Sequence, residues 1–149
     1  NVPWNLLILF GGGLSLANAV SYSGLSVWLG GNLEPLGSFG LVILVIASVG
    51  LIVFLTELTS NLATTSVFLP VIASMAIGLG ESPLILTAAI TLAASCAFML
   101  PVATPPNLIV YGSNLFNINQ MMRAGLALNI IGIILVPIIA IKLVPYFLG

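Results

Sequence analysis

The residues able to do chemistry are gathered in two short stretches. From Thr56 to Pro70 the chain reads TELTSNLATTSVFLP, which holds one carboxylate (Glu57), one amide (Asn61) and six hydroxyls. From Pro101 to Asn107 it reads PVATPPN. No Lys or Arg lies in either stretch, and the whole chain has neither His nor Asp. A Ser-His-Asp or His-metal arrangement is therefore impossible within it, and Ser60 without a base is a poor nucleophile. The chain does not read as an enzyme and calls for no cofactor. What remains is non-covalent binding of ions by neutral side chains and by the main chain.

Each stretch breaks a helix. Ser60 or Asn61 is a good N-cap for a helix starting near Leu62, and the preceding run should end between Glu57 and Thr59. This predicts a re-entrant hairpin near 56–80 with Ser60-Asn61-Leu62 at its tip. Its second arm points a helix N-terminus, with orphan N–H groups, at whatever lies there; such a terminus favours an anion. Its first arm ends in free carbonyls, which favour a cation. In the second stretch Pro101, Pro105 and Pro106 lack N–H groups and so free the carbonyls of Ala97, Pro101 and Val102. Thr104 is the expected N-cap and Pro105 the first helical residue. The result is a helix broken within 84–116. Hard cations prefer the oxygen ligands such a break offers.

These breaks lie in a chain that belongs in lipid. Of 149 residues 60% are hydrophobic and 3% charged, and the mean hydropathy is +1.32. Soluble domains carry roughly a quarter charged residues. The fold class is all-α integral membrane, multi-pass, in a cell or bacterial inner membrane. With a net charge of −1 nothing suggests nucleic acid as a partner. The single cysteine, Cys96, cannot form an intrachain disulfide and reads as a buried small apolar side chain.

Apolar runs place the spans. The first runs from Trp4 to about Val20, followed by an interfacial piece, Ser21–Asn32; together they make a unit of residues 1–35. Further runs cover Leu36–Leu55, Ala63–Leu79, Leu84–Leu100 and Leu108–Phe116, so that residues 36–116 carry both breaks. A polar connection, NINQMMR, precedes the last span, Ala124–Leu148, within a closing segment 117–149. Thr87, Thr91 and Ser95 recur every four residues among alanines, and this helix is expected to pack against the hairpin. The chain lacks an initial Met and a basic leader and reads as a fragment, or as one half of a larger protein. The Arg123 end of the last span is expected to be cytoplasmic.

Broken helices that aim N-termini at an anion and carbonyls at Na⁺ mark secondary transporters. TELTSNLATTSVFLP, taken with FMLPVATPPNLIVYGS and with PWNLLILFGGGLSLA near the start, resembles the divalent-anion/sodium symporter (DASS) family. The resemblance implies the C-terminal repeat of an inverted-repeat, elevator-type transporter that works as a homodimer in the lipid bilayer and needs the N-terminal half of the same protein. It implies Na⁺ as coupling ion and a small dicarboxylate, citrate or sulfate as substrate. Sodium ligands are expected from Thr56, Thr59, Asn61 and the Ala103 carbonyl. Substrate contacts are expected from Ser60, Asn61, Leu62, Thr104 and Pro105. One departure stands out: the family carries Ser-Asn-Thr where this chain has Ser60-Asn61-Leu62, so an isobutyl group replaces a hydroxyl.

Glu57 is the sole carboxylate in the cluster, and an acid within a membrane is a functional candidate. It offers a possible proton site, or a cap that tunes a sodium site. Two alternatives accompany the leading reading. One is a proton-coupled or exchange-type anion transporter using Glu57. The other is a non-transporting membrane fragment that needs a partner half.

Overall fold

The computed structural model describes residues 8, 11, 12, 15, 18, 19, 22–24, 39–113 and 115–148. The unit expected over 1–35 lies largely outside them. Five helices follow one another in the continuous part: α1 (Phe39–Thr56), α2 (Asn61–Gly78), α3 (Pro83–Ala94), α4 (Pro105–Gly112) and α5 (Ile118–Leu148). The described residues hold no strand.

Local chemistry sets most boundaries. The Ser60 side chain caps α2 by accepting from the Ala63 N–H at 3.0 Å. The far end of α2 closes in a Schellman motif: Glu81 N–H reaches Ala76 O at 2.9 Å and Gly80 N–H reaches Ile77 O at 3.0 Å. Gly80 makes this possible with φ of 71°, a conformation costly for any residue with a Cβ. Pro83 then opens α3 at a position where its missing N–H is not needed.

Two sequence boundaries are corrected. The apolar run to Leu100 is not all helix: α3 stops at Ala94, and residues 95–104 form a non-helical break. The N–H groups of Phe98, Met99 and Leu100 bond to a side chain from elsewhere instead of to carbonyls of their own helix. NINQMMR is not a connection either. Asn117 N–H donates to Gln120 Oε1, and Gln120 N–H donates to Asn117 Oδ1, both at 3.0 Å. This reciprocal capping box starts α5 at Ile118, well before the apolar run begins.

The hub of the packing is α3. It leans on α2, α5 and α1, and α1 also packs on α5, whereas α1 and α2 touch each other little. The buried residues follow helical spacing: Val45, Val49, Ile52 and Val53 on α1; Leu86, Ala89, Ile90 and Ala93 on α3; Val136 and Ala140 on α5. Small alanines on α3 let its neighbours approach closely. The packing of α3 on α2 is as expected of this helix. Thr87 is half-buried, Thr91 and Ser95 are exposed, and each hydroxyl turns back to the carbonyl four residues earlier.

The outer faces are apolar. Ile130, Ile131, Ile134, Leu135, Ile138 and Ile139 of α5 are all exposed. Among the described residues α2 and α5 are long and apolar enough to cross a bilayer. By length α3 and α4, of 12 and 8 residues, are too short to do so singly.

Candidate functional site

The turn between α1 and α2 is built from its own hydroxyls. Thr59 donates to Leu55 O at 2.9 Å and lies 2.5 Å from the Thr64 hydroxyl. Thr65 donates to Asn61 O at 2.8 Å. Thr64 and Thr65 are thus engaged in bracing the start of α2. The Leu62 side chain is 57% exposed. Thr56 is fully buried; its Oγ1 lies 2.5 Å from Asn61 Oδ1 and 3.0 Å from Ala94 O, the last residue of α3. Thr56 and Asn61, expected together on the sodium side, are in contact. Ser60 is exposed at the cap.

The break at 95–104 is held from both sides. Thr104 caps α4, accepting from Asn107 N–H at 3.4 Å, with Pro105 as the first helical residue. The Asn107 amide reaches back and donates to Ala97 O at 2.9 Å and Leu100 O at 3.0 Å. The Ala97 carbonyl, expected to be free, is therefore taken. Ala103 folds back to donate its N–H to Leu100 O at 3.2 Å.

Glu57 joins the two regions. It is 4% exposed. Its Oε1 accepts from Phe98 N–H at 2.8 Å, Met99 N–H at 2.9 Å and Asn129 Nδ2 at 2.8 Å, and its Oε2 accepts from Leu100 N–H at 3.0 Å. All four bonds run into the carboxylate, which suits an ionised, acceptor-only group. The polypeptide makes room for this contact. On α5, Gly125 backs onto the break: a Cβ there would overlap the Phe98 carbonyl oxygen and sit 2.5 Å from Met99 Cα. Two turns on, a Cβ at Gly132 would meet Cys96 Sγ at 3.4 Å. Asn129 lies between them, fully buried; its Oδ1 has no protein partner.

Sequence reasoning found both caps; Thr56 and Asn61 were named through the family resemblance, as two of four sodium ligands. It missed Ala94, Asn107, Gly125 and Asn129. One signal was available: Asn129 is a polar residue inside an apolar span, and such residues face protein. The Ala94 carbonyl and the room provided by Gly125 are set by tertiary packing and leave no local pattern.

Electrostatically the region is neutral apart from Glu57. The only basic residues of the chain, Arg123 and Lys142, are on α5 and exposed. The positive ends of the α2 and α4 dipoles and the negative ends of α1 and α3 supply the remaining field. Such a set of caps, carbonyls and amides can hold small ions of either sign without a formal charge partner.

Comparison with known proteins points the same way. Over 148 residues the chain is 44% identical to the sodium-dependent dicarboxylate transporter SdcS of Staphylococcus aureus strain MRSA252, covering 99% of this chain and 28% of that protein. The same figures hold for SdcS of strain USA300. The chain thus spans little more than a quarter of the length of these relatives. Residues 1–147 match the model of the sodium:sulfate symporter transmembrane region. With helix after helix carrying an apolar outer face, and with that match covering nearly its whole length, the chain is an integral membrane protein and belongs to the sodium:sulfate symporter family.

Proposed function

We propose that this chain is part of the C-terminal half of a sodium-coupled symporter for a small divalent anion, with a dicarboxylate as the favoured substrate class. The single observation that carries the reading is the Glu57 clamp, which holds two neutral helix breaks in one unit. The name of the 44% identical relatives favours dicarboxylate over sulfate or citrate.

In this reading Thr56, Thr59, Asn61 and Ala103 supply oxygens to Na⁺. Ser60, Asn61, Leu62, Thr104 and Pro105 border the anion, whose counter-charge comes from helix N-termini and bound Na⁺. Leu62 leaves the anion one hydroxyl contact fewer and makes that wall apolar, so selectivity rests more on Ser60 and on the capped N-termini. The re-entrant insertion, the inverted pairing with an N-terminal repeat, the homodimer and the elevator motion belong to the same proposal and rest on the family. Four N–H donors on Glu57 support a clamp more than a proton relay.

The test is uptake by the full-length protein in vesicles, with labelled succinate, citrate and sulfate, with and without a Na⁺ gradient. Succinate uptake that collapses without Na⁺ is expected. Uptake driven by a pH gradient and indifferent to Na⁺ would overturn the proposal and return Glu57 to a proton role.

A further inference from the structure

Protons can be counted at the α1–α2 turn. Thr59 spends its one hydroxyl proton on Leu55 O, so Thr64 is the donor in the 2.5 Å contact between them, and that pair is complete. At Thr56 the count does not close. Its Oγ1 faces Asn61 Oδ1 at 2.5 Å and Ala94 O at 3.0 Å. Both are acceptors, and a hydroxyl has one proton to give. Thr56 is fully buried and Asn61 half-buried, so the two acceptors compete for that one proton with little help from solvent.

Half a turn of the Asn61 amide removes the conflict. Nδ2–H then donates to Thr56 Oγ1, and Thr56 O–H donates to Ala94 O. The amide oxygen is left facing away from Thr56. We propose that Thr56 is a positioning residue for the cation site: its hydroxyl fixes the Asn61 amide with nitrogen inward and oxygen outward, toward the coupling ion. The inference rests on the sodium reading above and deepens it. It places the Thr56 hydroxyl behind the ligand; the oxygen Thr56 itself can offer the cation is its main-chain carbonyl at the end of α1. It also anchors the amide to the Ala94 carbonyl, so the ligand is oriented by a different helix from the one that carries it.

The experiment uses the full-length protein in detergent, with thermal unfolding followed as Na⁺ replaces choline, alongside the Na⁺ dependence of uptake. Thr56→Val removes the hydroxyl at constant shape; Thr56→Ser keeps it. Thr56→Val should raise the Na⁺ concentration for half-effect about tenfold, the scale of one lost hydrogen bond, in both readouts. Thr56→Ser, which keeps the hydroxyl, should shift the half-effect concentration far less than Thr56→Val does.

A second pair separates positioning from direct ligation. The two oxygens of a carboxylate are alike and need no orienting. In an Asn61→Asp background, Thr56→Val should therefore move the half-effect concentration by less than about twofold. A shift as large as in the wild-type background would make the hydroxyl a ligand and overturn the proposal. So would an unchanged Na⁺ response in Thr56→Val alone, or loss of the Na⁺ response in Asn61→Asp. If the wild-type protein shows no Na⁺-dependent stabilisation or uptake, it is the sodium reading itself that fails.

Discussion

The turn at residues 57–60 and the break at 95–104 interrupt helices in the same molecule, yet they satisfy their main chain by different means. The turn is short and largely self-sufficient. Ser60 caps the next helix, and Thr59 and Thr65 bond to carbonyls within five residues. The break is longer and depends on distant partners. Its N–H groups go to Glu57, some forty residues earlier, and its Ala97 and Leu100 carbonyls go to Asn107. In lipid an unsatisfied main-chain group costs several kcal/mol, so a short interruption can be served by local hydroxyls, whereas a long one needs partners from other elements. The turn's own hydroxyl contacts should tolerate change; the remote contacts of the break, which Glu57 supplies from the first residue of the turn, should not.

The comparison breaks most visibly at Glu57. Glu57→Ala strands the N–H groups of Phe98, Met99 and Leu100 and the amide of Asn129. At about 1–3 kcal/mol for each buried orphan, the loss should exceed ~3 kcal/mol. Little folded protein should be recovered in detergent, as seen by size-exclusion profile and thermal unfolding. A melting temperature within about 2 °C of the wild type would show that the break does not depend on its remote partner.

Gly125→Ala comes next, because the new methyl overlaps the main chain of Phe98 and Met99. Overpacking of this kind costs about 1–3 kcal/mol. Gly132→Ala is the matched control. Its neighbour is the Cys96 side chain at 3.4 Å, and Ala gains up to about 1 kcal/mol in helix propensity, so the net change should be near zero. Equal effects in the two variants, measured by the same unfolding assay, would remove the close approach of α5 to the break as an explanation.

The smallest effect is expected at the turn. Ser60→Ala removes a cap and should cost about 1 kcal/mol, whereas Ser60→Gly should cost only a few tenths. Thermal unfolding without any added anion isolates this structural part, and under the proposed function the KM of each variant reports any additional contact with the anion. A Ser60→Ala loss as large as that of Glu57→Ala would erase the contrast between the two regions.

The same contrast explains what was legible in the sequence. Caps are local and were found: Ser60 for α2 and Thr104 for α4. The capping box at Asn117 and Gln120 was equally local but was hidden by its polarity, which looked like a loop. The end of α3 at Ala94 was not legible, because the residues beyond it are apolar and helix-compatible. They leave the helix because Glu57 offers their N–H groups a better acceptor, and that acceptor becomes visible only once α1 and α5 are folded against the break. Ala94 O beside Thr56 belongs to the same class: a main-chain atom has no sequence signature.

The environment of Glu57 has a consequence for how the protein responds to its surroundings. The charge is compensated by N–H dipoles and an amide, with no lysine or arginine in either break. Mobile ions weaken attractions between exposed charges within about one Debye length. A carboxylate sealed among fixed dipoles offers them nothing to screen. The joint between the two regions should therefore hold equally in dilute buffer and in concentrated brine.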